Sequence, residues 1–191
     1  MKKAFPRLGW LAALAMTLTL VALASCVTHY MPTQSPQRTI GVTETQMKET
    51  QVKAKGLSPA TFRQASVKKQ VSAPLPQAYE AAQKVLSIYE PVADFPAKLT
   101  ADAGQINYAD NEPIYHNRKD LGCPPITVTI FLEVQGPKTT MVYFYPHHRL
   151  LPNIPPDLLG VVEANMDYRG TQFLYRLETQ LSAGQRWGWL N

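Results

Sequence analysis

Apolar side chains recur along the last third of the chain at Leu159, Val162, Met166, Gly170, Phe173, Leu177 and Leu181, in steps of three and four. One face of an α-helix has that period, so the pattern predicts a core-facing helix of roughly seven turns. Asp157, just after Pro155 and Pro156, supplies its N-cap, and Gly184 a natural stop. Gly170 sits in the middle of the apolar stripe, where glycine costs about 1 kcal/mol of helix propensity relative to alanine. A close approach to the sheet, or a bend, is its expected reason.

A period of two appears upstream. Ile126, Val128, Ile130, Leu132 and Val134 alternate with Thr127, Thr129, Phe131, Glu133 and Gln135, which predicts a strand with one face buried and one wet. Gly136-Pro137-Lys138 turns the chain, and Thr139 to Pro146 returns with Met141, Tyr143 and Tyr145 alternating against Val142 and Phe144, completing a β-hairpin. The return strand is apolar on both faces, which puts it centrally or along a groove. Earlier still, Val67 and Val71 fit a short strand closed by Ser72-Ala73-Pro74. Pro76 then opens a helix with Ala78, Tyr79, Ala82, Val85, Leu86 and Tyr89 on one face, ended by Pro91, and Gln105 to Tyr108 form a further strand. The fold class expected is α+β: an antiparallel sheet of about four strands, with a short helix and a long C-terminal helix packed on one face. Residues 67–191 are enough for one compact domain.

Residues 26–66 read differently. They are rich in Thr, Gln, Ser, Lys and Pro with no sustained period, which predicts a flexible tether, with Ser58-Pro59 at most starting one short helical turn near Phe62. Before them, Met1, Lys2, Lys3 and Arg7 make a positive start, and Leu8 to Ala24 a mostly apolar run. This is the order of a secretory signal peptide, here residues 1–25.

Charge changes meaning once that segment is set apart. The chain carries 19 Lys and Arg against 14 Asp and Glu, a net of +5. Without Lys2, Lys3 and Arg7 the balance is sixteen against fourteen, or +2, and residues 67–191 hold eleven against twelve. The basicity belongs to the leader and the tether. A nucleic-acid binder needs a concentrated basic face, which this balance does not offer, so no nucleic-acid partner is expected.

The run ends in Leu23-Ala24-Ser25-Cys26, which resembles the lipobox of bacterial lipoproteins. The resemblance implies lipid on the sulfur of Cys26, cleavage on its N-terminal side, and stable membrane attachment through two or more acyl chains. Val27 stands where a retaining aspartate would hold a Gram-negative lipoprotein at the inner membrane, so the outer membrane, on its periplasmic side, is the implied address. The order of elements in residues 67–191 is similar to the helix-grip domains of some lipoprotein subunits of outer-membrane assembly machines.

Candidate chemistry is sparse. Tyr145-Pro146-His147-His148-Arg149 is the densest cluster, but adjacent histidines on extended backbone point apart and no CxxC or HExxH spacing is present, so no metal is expected. Asp110, Glu112 and Asp120 lie among Tyr115, His116, Arg118 and Lys119 and read as a solvated loop. Cys123, in the turn Gly122-Cys123-Pro124-Pro125, reads as a buried, inert thiol. No nucleophile elbow, phosphate loop or triad order appears, which makes a non-catalytic protein without cofactor the expectation. Aromatic side chains lead instead: Tyr143 and Tyr145 on the hairpin and Trp187 and Trp189 in the tail are the expected partner-binding residues, with Tyr168 and Tyr175 on the long helix. Two roles follow. One is an assembly or binding module for another envelope protein; the other is a lipid or small-molecule carrier with a cavity between the long helix and the sheet, lined by Tyr143, Phe144 and Gly170.

Overall fold

The computed structural model describes residues 40–41, 43–92, 96–116, 119–151 and 154–187. Cys26 and Trp189 lie outside them. The order of elements is α1 (Glu44–Lys55), α2 (Pro59–Phe62), β1 (Val67–Val71), α3 (Leu75–Leu86), β2 (Glu90–Pro91), β3 (Lys98–Leu99), β4 (Ala103–Asp110), β5 (Tyr115–His116), β6 (Lys119–Asp120), β7 (Ile126–Gly136), β8 (Thr139–Pro146), a 3-10 turn (His148–Leu150) and α4 (Pro156–Trp187). The main sheet is antiparallel, in the order β1-β8-β7-β4-β2, and β3 also pairs with β4. The fold is α+β.

Hydrophobic alternation sets the upper face of this sheet. Ile106 and Tyr108 of β4, Val128, Ile130 and Leu132 of β7, and Val142 and Phe144 of β8 form one buried cluster with Leu75, Ala78, Ala82 and Leu86 of α3 and Val162, Met166, Phe173 and Leu177 of α4. Helix α3 stops at Leu86, and Tyr89 lies beyond it with its ring 4.8 Å from that of Tyr108. Helix α4 runs 32 residues, through Gly184, and its apolar stripe starts at the buried Leu158 rather than at Leu159. Gly170 is where helix and sheet come closest: a Cβ there would lie 2.7 Å from Phe144 Cδ1 and 3.0 Å from Val67 Cγ1. Helix and sheet are thus in direct contact at Gly170 and Phe144, and Tyr143 lies on the other face of β8.

The lower face departs from the sequence reading. Thr127, Thr129 and Phe131 are as buried as the residues between them, so β7 has no wet face until Glu133. The cover comes from the segment expected to be tether. Phe62 is 1% exposed and packs with Ala65, Phe131 and Tyr143, its ring 5.4 Å from Phe131 and 5.5 Å from Tyr145. Thr43 caps α1 through a reciprocal capping box with Gln46. Ala54 is wholly buried beside Val92 and Leu150, and the Thr50 hydroxyl, whose shorter contact is the Gln46 carbonyl at 2.9 Å, lies 3.2 Å from the Leu150 carbonyl. The packed domain thus begins before residue 67, because one large ring in a polar stretch is enough to seal the sheet's second face.

Candidate functional site

Strand β8 ends at Pro146, and the two histidines that follow leave it in opposite directions. The His147 N–H donates to the Thr127 carbonyl at 2.8 Å, which keeps the backbone on the sheet for one more residue and drops the imidazole onto the lower face. There Thr129 Oγ1 donates to Asn107 Oδ1 at 2.7 Å, and Gln105 Nε2 donates to the same oxygen at 3.2 Å. Its proton committed, the Thr129 hydroxyl accepts from His147 Nε2–H at 2.8 Å. The ring is then the Nε2–H tautomer, with an unpartnered Nδ1, 1% exposed between Phe62 and Tyr145. Burial, and to a lesser degree the neighbouring His148, pushes His147 down to about 4.

His148 turns the other way, toward α4. It borders a cleft of about 180 Å³ whose wall is made by Gln64, Ala65 and Ser66 before β1, Tyr145 and Pro146 at the end of β8, Arg149, and Glu163 and Asp167 of α4. Glu163 and Asp167 are four residues apart, so the helix presents both carboxylates on one side. Arg149 Nε donates to Glu163 Oε1 at 3.0 Å and holds that carboxyl below its ordinary range; Ser66 Oγ donates to Asp167 Oδ1 at 2.6 Å. His148 is 7% exposed, and neither ring nitrogen has a hydrogen-bond partner. Its Nε2 faces Glu163 Oε1 at 3.6 Å, too long for a hydrogen bond. Burial lowers the His148 pKa in spite of Glu163, which leaves the ring neutral at pH 7.

The loop carboxylates are built quite differently. Asp110 is buried, and Arg169 Nη1 of α4 donates to its Oδ1 at 2.6 Å, while Nη2 donates to the carbonyls of Glu112 and Pro113. Burial raises the Asp110 pKa and Arg169 opposes it. Asp110 is thus a structural ion-pair partner and not part of a solvated loop. Only its pairing with a helix 59 residues further along gives it that role, and spacing does not carry such information. Cys123 is half-buried against the core, where burial pushes its thiol up to about 11. A thiol in that state is a poor nucleophile. No group of three or more His, Cys, Asp or Glu able to hold a metal ion forms among the described residues.

The expected partner-binding residues separate. Tyr143 is buried under Phe62, and its hydroxyl lies 3.5 Å from Glu133 Oε2. Tyr145 is half-buried and forms part of the cleft. Trp187 closes α4. Tyr168 and Tyr175 of α4 stand in solvent, 65% and 67% exposed. The sequence reading missed the pairing of Glu163 with Arg149 and of Asp167 with Ser66, although the i, i+4 spacing of the two carboxylates on a predicted helix was a usable signal. Comparison with known proteins gives no match: no family model, no curated protein and no solved structure resembles this chain.

Proposed function

We propose that the chain is a lipid-anchored protein of the bacterial envelope whose folded part binds another envelope protein and carries out no catalysis of its own. The observation that carries this reading is Leu23-Ala24-Ser25-Cys26 at the end of a basic and then apolar N-terminus. Two acyl chains on one residue give stable attachment, and a permanently anchored domain of this size is suited to holding a partner at the membrane surface. Val27 favours delivery to the outer membrane.

Two surfaces support the binding part. The cleft beside Tyr145 combines an aromatic ring, two carboxylates and an unsatisfied imidazole. On α4, Tyr168 and Tyr175 offer large rings with polar tips, the side chains most enriched where proteins meet. Mass spectrometry of the native product tests the anchor: a mature N-terminus at Cys26 carrying diacylglyceryl and acyl groups is expected, and an unmodified thiol or an intact leader rules the reading out. Crosslinking in intact cells tests the partner. A specific envelope protein should be captured, and the capture should fall when Tyr168 and Tyr175 are changed to Ser or when the cleft is altered.

A further inference from the structure

From a second cleft, between α3 and α4, we infer that the fold binds an aromatic monocarboxylate, free or as the last residue of a polypeptide, with its carboxylate on Arg176 and the Tyr108 hydroxyl. This goes beyond the reading of the fold as a partner-binding module and depends on neither lipid nor partner. The cleft holds about 140 Å³. Leu86 at the end of α3 and Phe173 of α4 give it an apolar side. Tyr168, Gln172 and Arg176, in steps of four, line it from one flank of α4, and Tyr89 and Tyr108 line it with their rings 4.8 Å apart.

Two groups there lack the partners that the fold gives their neighbours. Tyr108 is 4% exposed, yet its hydroxyl makes no hydrogen bond to a described residue and is not sealed in, so what exposure it has opens into the cleft. Burial, reinforced by Asp110, pushes its pKa well above the ordinary tyrosine value, which keeps the proton on and the oxygen a donor. Arg176 has no hydrogen bond or ion pair among the described residues. The other charges are already matched. Arg169 donates to Asp110 and to two carbonyls, while Glu112 accepts from the Tyr89 hydroxyl at 2.9 Å and faces Arg169 Nε at 3.8 Å. What is left open is a guanidinium, the hydroxyls of Tyr108 and Tyr168 and the Gln172 amide, a set rich in donors. A carboxylate answers it, since its two oxygens match the guanidinium fork with parallel hydrogen bonds. A dianion would meet Glu112 as well, whereas a single negative charge is what Arg176 alone can balance. Three tyrosine rings and Phe173 around the space favour an aromatic body, and Tyr168, 65% exposed while it lines the cleft, has free surface to cover it. The volume lies below the roughly 300–1,000 Å³ usual for whole small-molecule ligands, and suits one ring with its carboxylate.

The test uses the full chain in detergent micelles, labelled with carbon-13 at tyrosine Cε. The chain has nine tyrosines, and single changes to Phe identify the resonances of Tyr108 and Tyr168. Titration with sodium 3-phenylpropionate should move both signals saturably and leave Tyr143, buried under Phe62, where it was. The midpoint should rise about tenfold or more in Arg176→Gln, the loss of a charged hydrogen bond, and about threefold or more in Tyr108→Phe, the loss of a neutral one, read there at Tyr168. A short peptide ending in phenylalanine that competes with the probe assigns the ligand to a chain end; one that leaves the titration unchanged assigns it to a free acid. Equal titration by 3-phenylpropionamide or 3-phenylpropylammonium, no saturable shift, or an unchanged midpoint in either variant would overturn the inference. The Tyr143 signal, if it keeps its position, shows that each variant is folded. Tyr108→Phe also separates a ligand role from a structural one: with no partner to lose, it should unfold at the parent's urea midpoint or above, and a lower midpoint counts against the inference. A failed titration removes this inference alone and leaves the anchor and the captured partner as they stand.

Discussion

Gly170 and Gly160 stand on the same helix, and the fold gives them opposite responses to one methyl group. A Cβ at Gly170 would lie 2.7 and 2.9 Å from two ring carbons of Phe144 and 3.0 Å from Val67 Cγ1. Carbon atoms prefer separations of about 3.5–4.0 Å. The Phe144 ring is 1% exposed and has Phe173 at 6.1 Å on its flank, so it has no free space to swing into. Overpacking of this kind costs about 1–3 kcal/mol, and three contacts inside or at 3.0 Å put the cost in the upper half of that range. Helix propensity returns about 1 kcal/mol. Gly170→Ala should therefore destabilise the fold by about 1–2 kcal/mol, net of the propensity gain. At Gly160 nothing lies within 4 Å of the added carbon, so Gly160→Ala should stabilise by up to about 1 kcal/mol. Urea unfolding of the compact unit Pro36–Asn191 reads both, with the slope of the transition as the check that the unfolded states are alike. Combining Gly170→Ala with Phe144→Leu should cost less than the sum of the two, since the smaller side chain removes the clash. A Gly170→Ala protein as stable as the parent, or additive with Phe144→Leu, refutes the close-approach account.

Three further outcomes follow from the same geometry. His147 is held near 4 in the fold against about 6.5 when unfolded, so its contribution is complete above pH 6.5 and fades as pH falls toward 4. The loss should reach up to about 3 kcal/mol, and urea midpoints measured across that range should flatten in His147→Asn. Arg169→Met strands the buried Asp110 and frees the carbonyls of Glu112 and Pro113; a loss of about 3–5 kcal/mol is expected, with faster amide exchange around Ile114. Phe62→Ala should cost about 3 kcal/mol and open the segment between Leu57 and Ser66 to limited proteolysis, whereas a free tether would make the same change silent.

Where apolar period and element coincide, the fold was legible. Helices α3 and α4, the β7–β8 hairpin and the central place of β8 all follow from side chains whose spacing matches the face they bury. The cover over the lower face was not, because Phe62 is a single ring in a polar stretch and its burial depends on meeting Phe131 and Tyr143, some 70 to 80 residues later. The capping box at Thr43 and Gln46 is a local signal that a polar helix begins there, and it outweighs composition. Tyr145 and the histidine pair were visible as a cluster, as was their divergence. The cleft they border was not, since Ser66, Glu163 and Asp167 reach it only through tertiary packing.

The placement of Phe62 has a mechanical consequence. Any load applied to the chain upstream of Ile40 meets that side chain's seat in the main core, then α1 and α2, before it reaches a strand in sequence. The first attachment to carry that load is Ile40, 2% exposed in the main core, followed by Ala54 of α1 beside Val92 and Leu150 and then by the ring of Phe62 against Phe131 and Tyr145. Phe62 is three residues from Ala65 and four from Ser66, both on the rim beside Asp167, so peeling it away disturbs that cleft while the hydrogen-bonded sheet is still intact. Traction at one end of the polypeptide is thereby borne by one buried side chain and two helices before any strand is pulled.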